Sequence, residues 1–169
     1  MTARPRRVTS PPENAAEFKL EDFLPYRLSV AANRVSRMFA QRYSAKFGLS
    51  IPEWRVLATV GRFGSVSPSA VGEWTAMDKV KVSRAAASLV SRGLLRQSPD
   101  PHDGRGRLLR LTRKGTSVHG AMVPIARELE ATLVQRLGRG EWQALNRALV
   151  KLNHHVQDVA GPGSGDGLA

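Results

Sequence analysis

Apolar positions recur at helical spacing over most of the chain. Leu24, Leu28, Ala31, Val35 and Met38 step by four, three, four and three along one face, which predicts a first helix from about Leu24 to Phe47, ended by Gly48. Arg27, Arg34, Arg37 and Arg42 lie largely elsewhere around that helix. Ser50-Ile51-Pro52-Glu53 reads as a capping box with proline in the first turn. A second helix follows with Trp54, Val56, Leu57 and Val60, stopping at Gly61 or Gly64. Ser67-Pro68 repeats the start signal for a short third helix, Pro68 to Thr75, and Asp78 caps a fourth that runs to Arg92 before Gly93.

The texture then changes. Leu94, Leu95 and Arg96 predict a brief strand and Arg107 to Leu111 a second, separated by the turn-rich segment from Pro99 to Gly106. Thr112 caps a long fifth helix reaching about Leu137, with a bend expected at Pro124 and a break at Gly138 and Gly140. The last helix places Trp142, Leu145, Leu149, Leu152, Val156 and Val159 on one continuous seam. That seam is longer than a small monomer needs, and the first and fifth helices are its only candidate partners within one chain. The termini lack periodicity: residues 1–19 read as a disordered arm and 161–169 as a flexible tail.

This mainly α pattern, with helices two to four followed by a hairpin, is that of a winged helix-turn-helix at 50–112. Segments 20–49 and 113–160, whose long apolar seams such a domain leaves unsatisfied, are expected to form a helical dimerisation domain around it. Charge sharpens the reading. Twenty-six Lys and Arg oppose fourteen Asp and Glu, a formal net charge of +12, which is a solubility burden unless it meets a polyanion. Nucleic acid and an anionic membrane surface are the two candidates. No apolar run approaches the roughly 20 residues of a membrane span, and no apolar stretch follows the N-terminal arginines, so a cytoplasmic protein is expected. The absence of cysteine excludes disulfides, thiolate metal sites and cysteine-based redox sensing.

The charge concentrates around the fourth helix and hairpin. Between Lys79 and Lys114 stand ten basic residues against Asp100 and Asp103, so eight of the twelve net charges sit in about a fifth of the chain. At about 100° per residue, Lys81, Arg84, Ser88, Ser91 and Arg92 share one arc, while Val82, Ala85, Ala86, Leu89 and Val90 take the opposite one. A basic stripe alone is more often a solvated face. Its company here favours a recognition helix, which a major groove about 12 Å wide admits. The candidate contacts to double-stranded operator DNA are Ser67, Ser69, Lys79, Lys81, Ser83, Arg84, Ser88 and Arg92, with Asp103, Arg105 and Arg107 in the wing.

The sequence resembles the multiple-antibiotic-resistance regulator (MarR) family from about Leu20 to Val159. Asp103-Gly104-Arg105, five residues, then Leu111-Thr112 matches the family's wing signature DxRxxxxxLT. SPSAVGEWTAMDKVKVSRAAASLVSRGLL matches its helix-turn-helix. Gly104 stands where many members carry a second arginine. The resemblance implies that Asp103 orients Arg105 by a salt bridge and that Arg105 enters the minor groove. It implies too that the first, fifth and sixth helices make a homodimer, and that an effector pocket lies between the domains. LPYRLSVAANRVSR and FGLSIPEWRVLA look like a subgroup linked to aromatic-compound catabolism, which points to a small organic acid or an acyl-CoA as effector. Asn33, Arg34, Arg37, Met38 and Trp54 are the candidate ligand contacts; a plain reading makes the two arginines exposed helix charges and Trp54 core.

Catalysis finds little support: there is no nucleophile elbow, no phosphate-cradling glycine loop and no HExxH pair. His154 and His155 are adjacent on a helix and point about 100° apart, so they make no i, i+4 metal pair. His102 falls in the wing and His119 in the fifth helix. No cofactor or metal is expected. The alternative within DNA binding is a sequence-nonspecific architectural protein, equally basic but without an effector.

Overall fold

The structure, a computed structural model, describes residues 18–101 and 103–160, with side chains left out at Gly104, Arg105, Gln157, Val159 and Ala160. The arm at 1–17, His102 and the tail at 161–169 lie outside the described residues. The chain divides into two compact units, one ending at Met38 and one beginning at Phe39. A 3₁₀ turn, Leu20–Asp22, precedes six helices: α1 (Leu24–Phe47), α2 (Ile51–Phe63), α3 (Pro68–Thr75), α4 (Lys79–Ser91), α5 (Arg113–Leu137) and α6 (Arg139–Ala160). Strands β1 (Leu95–Asp100) and β2 (Asp103–Leu111) form the hairpin between α4 and α5.

The capping chemistry sets where the helices start. The Ser50 hydroxyl accepts from Glu53 N while the Glu53 carboxylate accepts from Ser50 N at 2.7 Å, closing the expected box. Ser67, Asp78 and Thr112 each accept from a backbone N–H three residues on. Each cap satisfies a donor that the first helical turn leaves without a partner. Behind them the apolar stripes of α2, α3 and α4 close on one core. Val56, Leu57, Val60, Val71, Val82 and Leu89 are buried there with Tyr43, Leu49, Leu95 and Leu109.

Of the two stops expected for α2, Gly64 is the one used: the helix runs through Gly61 to Phe63, and Gly64 takes the positive φ of 77° that ends it. Gly61 has a packing reason: the His119 ring of α5 occupies the space where a Cβ would stand. The hairpin is longer than the turn residues imply, with Pro99 inside β1 facing Arg107 and a register irregularity between Pro99 and Asp100. In a two-stranded ribbon both strands are edges, so a proline lacking an N–H is accommodated. Leu94 precedes β1, and its carbonyl oxygen instead accepts from Thr112 N at 3.1 Å. Gly138 alone separates α5 from α6, with Gly140 inside the first turn of α6, and α5 continues as helix through Pro124. Val66 adds an isolated bridge to Leu109, a third rung beyond the hairpin.

Candidate nucleic-acid interface

Helix α4 presents two faces of opposite character. Val82, Ala85, Ala86 and Leu89 are buried, and Val90 is half-buried. Lys79, Lys81, Ser83 and Arg84 are exposed. The Asp78 carboxylate at the helix start accepts from Lys81 N at 2.7 Å and lies 2.8 Å from the Lys81 ammonium. Those contacts, hydrogen bonding first, hold the Asp78 carboxyl below its ordinary value. The pair is exposed on both sides, so it orients Lys81 without neutralising the surface. On α3, Ser67 is the N-cap and Ser69 is exposed. A cleft of about 250 Å³ between α2 and α4 is lined by Ser50, Pro52, Glu53, Lys81, Arg84, Ala85 and Ser88.

The wing extends the same basic surface. Arg96, Arg107 and Arg110 are exposed on its strands, and Arg110 Nε donates to the Ser65 hydroxyl at 3.0 Å. Gly106 is pressed against the acidic pair of the tip: a Cβ there would stand 2.9 Å from Asp100 Cβ and 3.0 Å from Asp103 Oδ2. Asp103 is exposed. Arg105 lies in β2, but its side chain is outside the described atoms, and with it the expected Asp103–Arg105 ion pair.

Ser88 and Arg92 have another occupation. The Ser88 hydroxyl donates to Glu53 Oε1 at 2.6 Å, and Arg92 Nη1 lies 3.4 Å from the same oxygen. Arg92 also donates from Nη2 to the Phe47 carbonyl at 2.6 Å and from Nη1 to the Gly48 carbonyl at 3.1 Å. Glu53 is buried, which by itself raises its pKa. The hydrogen bonds from Ser88 and Ser50 and the charge of Arg92 outweigh that burial and hold the carboxyl below its ordinary value. The amphipathic arc placed both residues on the basic stripe. Periodicity could not show that the buried Glu53 of α2 stands across from them.

Of the expected ligand contacts, Trp54 lies in the second unit. It stacks on Phe39 with ring centroids 6.4 Å apart and tilts against Tyr43 at 5.4 Å. Its indole Nε1 is buried with no hydrogen-bond partner among the described residues, an arrangement that costs about 1–3 kcal/mol unless an acceptor is supplied. Asn33, Arg34, Arg37 and Met38 lie in the first unit, where Asn33, Arg34 and Arg37 are exposed and Met38 is half-buried. A second cavity, about 500 Å³, lies between the end of α1 and α5, lined by Arg42, Ala45, Lys46, Ile125, Glu128 and Leu129. Sequence reasoning did not single it out, because the α5 residues that line it with Arg42 and Lys46 lie far along the chain. Among the described residues no cluster of His, Asp or Glu could hold a metal, and no helix is long and apolar enough to cross a membrane.

Comparison with known proteins agrees with this geometry. A family model described as MarR family matches residues 47–106, from the end of α1 to the wing. The chain is 28% identical over 143 residues to the HTH-type transcriptional repressor IacR of Pseudomonas putida, covering 85% of each chain. It is 27% identical to Bordetella bronchiseptica BpsR, whose structure concerns regulation of DNA binding by 6-hydroxynicotinic acid. That likeness has a TM-score of 0.72 and covers 82% of this chain and 98% of the other. Escherichia coli MarR complexed with operator DNA is alike in fold, with a TM-score of 0.69 at 22% identity over 79% of this chain and 96% of the other. The matched segment holds α4 and most of the wing, and the likeness in fold to winged helix-turn-helix regulators of the MarR family extends well beyond it.

Proposed function

We propose that the protein is a ligand-responsive repressor that binds a pseudo-palindromic operator as a homodimer and is released by a small aromatic acid or its CoA thioester. The observation that carries the DNA half is α4: a basic, exposed first half opposite an apolar face that buries Val82, Ala85, Ala86 and Leu89, beside a wing with exposed arginines. Lys79, Lys81, Ser83 and Arg84 meet base edges and phosphates in the major groove. Ser67 and Ser69 approach the backbone from α3, and Arg105 and Arg107, with Asp103 beside them, reach the minor groove. Ser88 and Arg92 stand behind this surface and support it from within. The domain division expected from the sequence, 50–112 for DNA and 20–49 with 113–160 for dimerisation, belongs to the same reading. Its support is the apolar seam of α6, whose Leu145, Leu149, Leu152 and Val156 are exposed in the single chain.

The effector half rests on Trp54. A buried indole N–H without an acceptor, inside an aromatic trio with Phe39 and Tyr43, suits a flat ring carrying an acceptor atom. The regulation of BpsR by 6-hydroxynicotinic acid is in keeping with that chemistry. Asn33, Arg34, Arg37 and Met38 stay in the proposal as ligand contacts on the strength of the resemblance. Release needs a ligand that prefers a dimer with its recognition helices spaced wrongly for successive grooves, and a typical coupling of about 1–3 kcal/mol shifts affinity about 5- to 150-fold.

The test is fluorescence anisotropy with duplexes from the protein's own promoter region against scrambled duplexes at physiological salt, followed by titration of aromatic acids and their CoA thioesters. Preference for a site with half-sites about 10 bp apart is expected, with release on adding ligand. Equal affinity for operator and scrambled DNA would leave an architectural DNA-binding protein instead.

A further inference from the structure

The C-terminal ends of two helices are satisfied by side chains remote in sequence, and Arg92 joins them. The last carbonyls of α1 have no helical partner of their own, and a cation is the favoured group at that negative end of the helix dipole. Arg92 supplies it, reaching the Phe47 and Gly48 carbonyls from the C-cap of α4. Gly48 takes the positive φ of 63° that favours glycine, and a Cβ there would meet Arg92 Nη2 only at an ordinary contact distance of 3.6 Å. The backbone of α4 is held in turn by the start of α5. Lys114 Nζ donates to the Arg92 carbonyl at 3.0 Å, and the Thr112 hydroxyl to the Gly93 carbonyl at 2.7 Å. A Cβ at Gly115 would collide with the Leu94 carbonyl, so the start of α5 lies hard against this turn. Glu53 completes the node by accepting from Ser88, one turn back along α4, and from Arg92.

We propose that Arg92 is a positioning residue that holds the recognition helix at a set angle to the end of α1 and the start of α5, with Glu53 and Ser88 keeping its guanidinium in place. This rests on the DNA-binding reading above but assigns Arg92 a task other than touching DNA. A guanidinium can fork between two backbone carbonyls and a carboxylate, whereas an ammonium cannot span all three at fixed angles. Arg92 thus adds a directional polar link between the α1 end and α4 to the apolar packing they share in the core.

The experiment compares Arg92→Gln, Arg92→Lys, Glu53→Gln and the double variant Arg92→Gln/Glu53→Gln with the unaltered protein. It reads operator and random-duplex affinity across a salt series, together with thermal melting. Glutamine at position 53 still serves a capping box, so the fold is kept. Arg92→Gln should lose operator affinity about two- to 150-fold, the range of coupling within one hydrogen-bonded network. Random-duplex affinity and the salt slope should stay unchanged. Lysine should fail to restore the loss, Glu53→Gln should lose less, and the double variant should be no worse than Arg92→Gln alone. A salt slope lower by about one in Arg92→Gln, with Glu53→Gln like the unaltered protein, would make Arg92 a phosphate contact and overturn the proposal. So would a lowered melting point with the operator-to-random ratio intact. A DNA-free measurement keeps the two readings apart: amide exchange at Leu89 to Arg92 should quicken in Arg92→Gln. Unchanged exchange there rejects the positioning role whatever the DNA result, while absent operator preference in the unaltered protein rejects only the regulator reading.

Discussion

Helices α4 and α6 carry the same kind of amphipathic pattern and meet opposite fates. In α4 the apolar stripe is spent inside the chain: Val82 is 1% exposed and Leu89 0%. In α6 the stripe is as regular, yet Leu149 is 36% exposed and Val156 55%. Periodicity states that a helix has a face to bury and says nothing of what will cover it. For α4 the cover comes from neighbours close in sequence, α2, α3 and β1. For α6 the described residues supply extensive contact from α5 alone, and a second copy of the chain is the proposed remainder.

The sharpest way to break this contrast is to place charge on the α6 seam. Leu149→Glu with Leu152→Glu should abolish the dimer at micromolar concentration, since an uncompensated buried carboxylate costs about 3–5 kcal/mol. Sedimentation velocity checks it, and a dimer that persists would assign the seam another cover. On α4, Leu89→Ala should instead lower unfolding stability by about 2–5 kcal/mol. In a dimer the midpoint depends on protein concentration for every variant, so the separating measurement is association: Leu89→Ala should leave the dimer constant of the folded protein unchanged.

Smaller effects refine the exposed side of α4. Arg84→Ala should reduce operator affinity by ~1–3 kcal/mol and relax discrimination, if the guanidinium reads a base edge. The operator-to-random ratio in the anisotropy assay measures this. Asp78→Ala should lower the melting point modestly through the lost N-cap, with little further loss from the exposed pair with Lys81. The smallest effect concerns Glu53. Its folded pKa lies below the ordinary 4.5, so its contribution is fully present above that value and is lost as pH falls through the lowered one. Glu53→Gln should flatten the acid limb of the stability curve, measured by denaturant titration from neutral pH downward.

The helix starts were legible because caps are local. Ser50, Ser67, Asp78 and Thr112 each satisfy a donor three residues away, and such a bond is written in a short window of sequence. The hairpin was legible as a hairpin but not in length: Pro99 and the glycines around Arg105 read as punctuation, and ribbon edges accommodate them. The basic surface was legible as charge. Its division was not, because whether a cation faces solvent or a carboxylate depends on residues 39 to 45 positions away, such as Glu53 and Phe47 for Arg92. The same holds for the Trp54 trio and for the cavity beside Arg42 and Lys46, each assembled from separate helices.

By itself the sequence determined the order of elements, the caps that begin the helices, the concentration of positive charge on α4 and the wing, and the want of any thiol chemistry. Each of these is a property of composition or of bonds spanning a few residues. Only the tertiary structure decided which polar groups of α4 face solvent and which are turned inward to the chain. Lys79, Lys81, Ser83 and Arg84 stay exposed, while Ser88 and Arg92 turn to a buried carboxylate and to the orphan carbonyls of α1. The reason is energetic: a buried carboxylate and unpaired helix-end carbonyls must find donors, and the nearest donors in space are among the most remote in sequence.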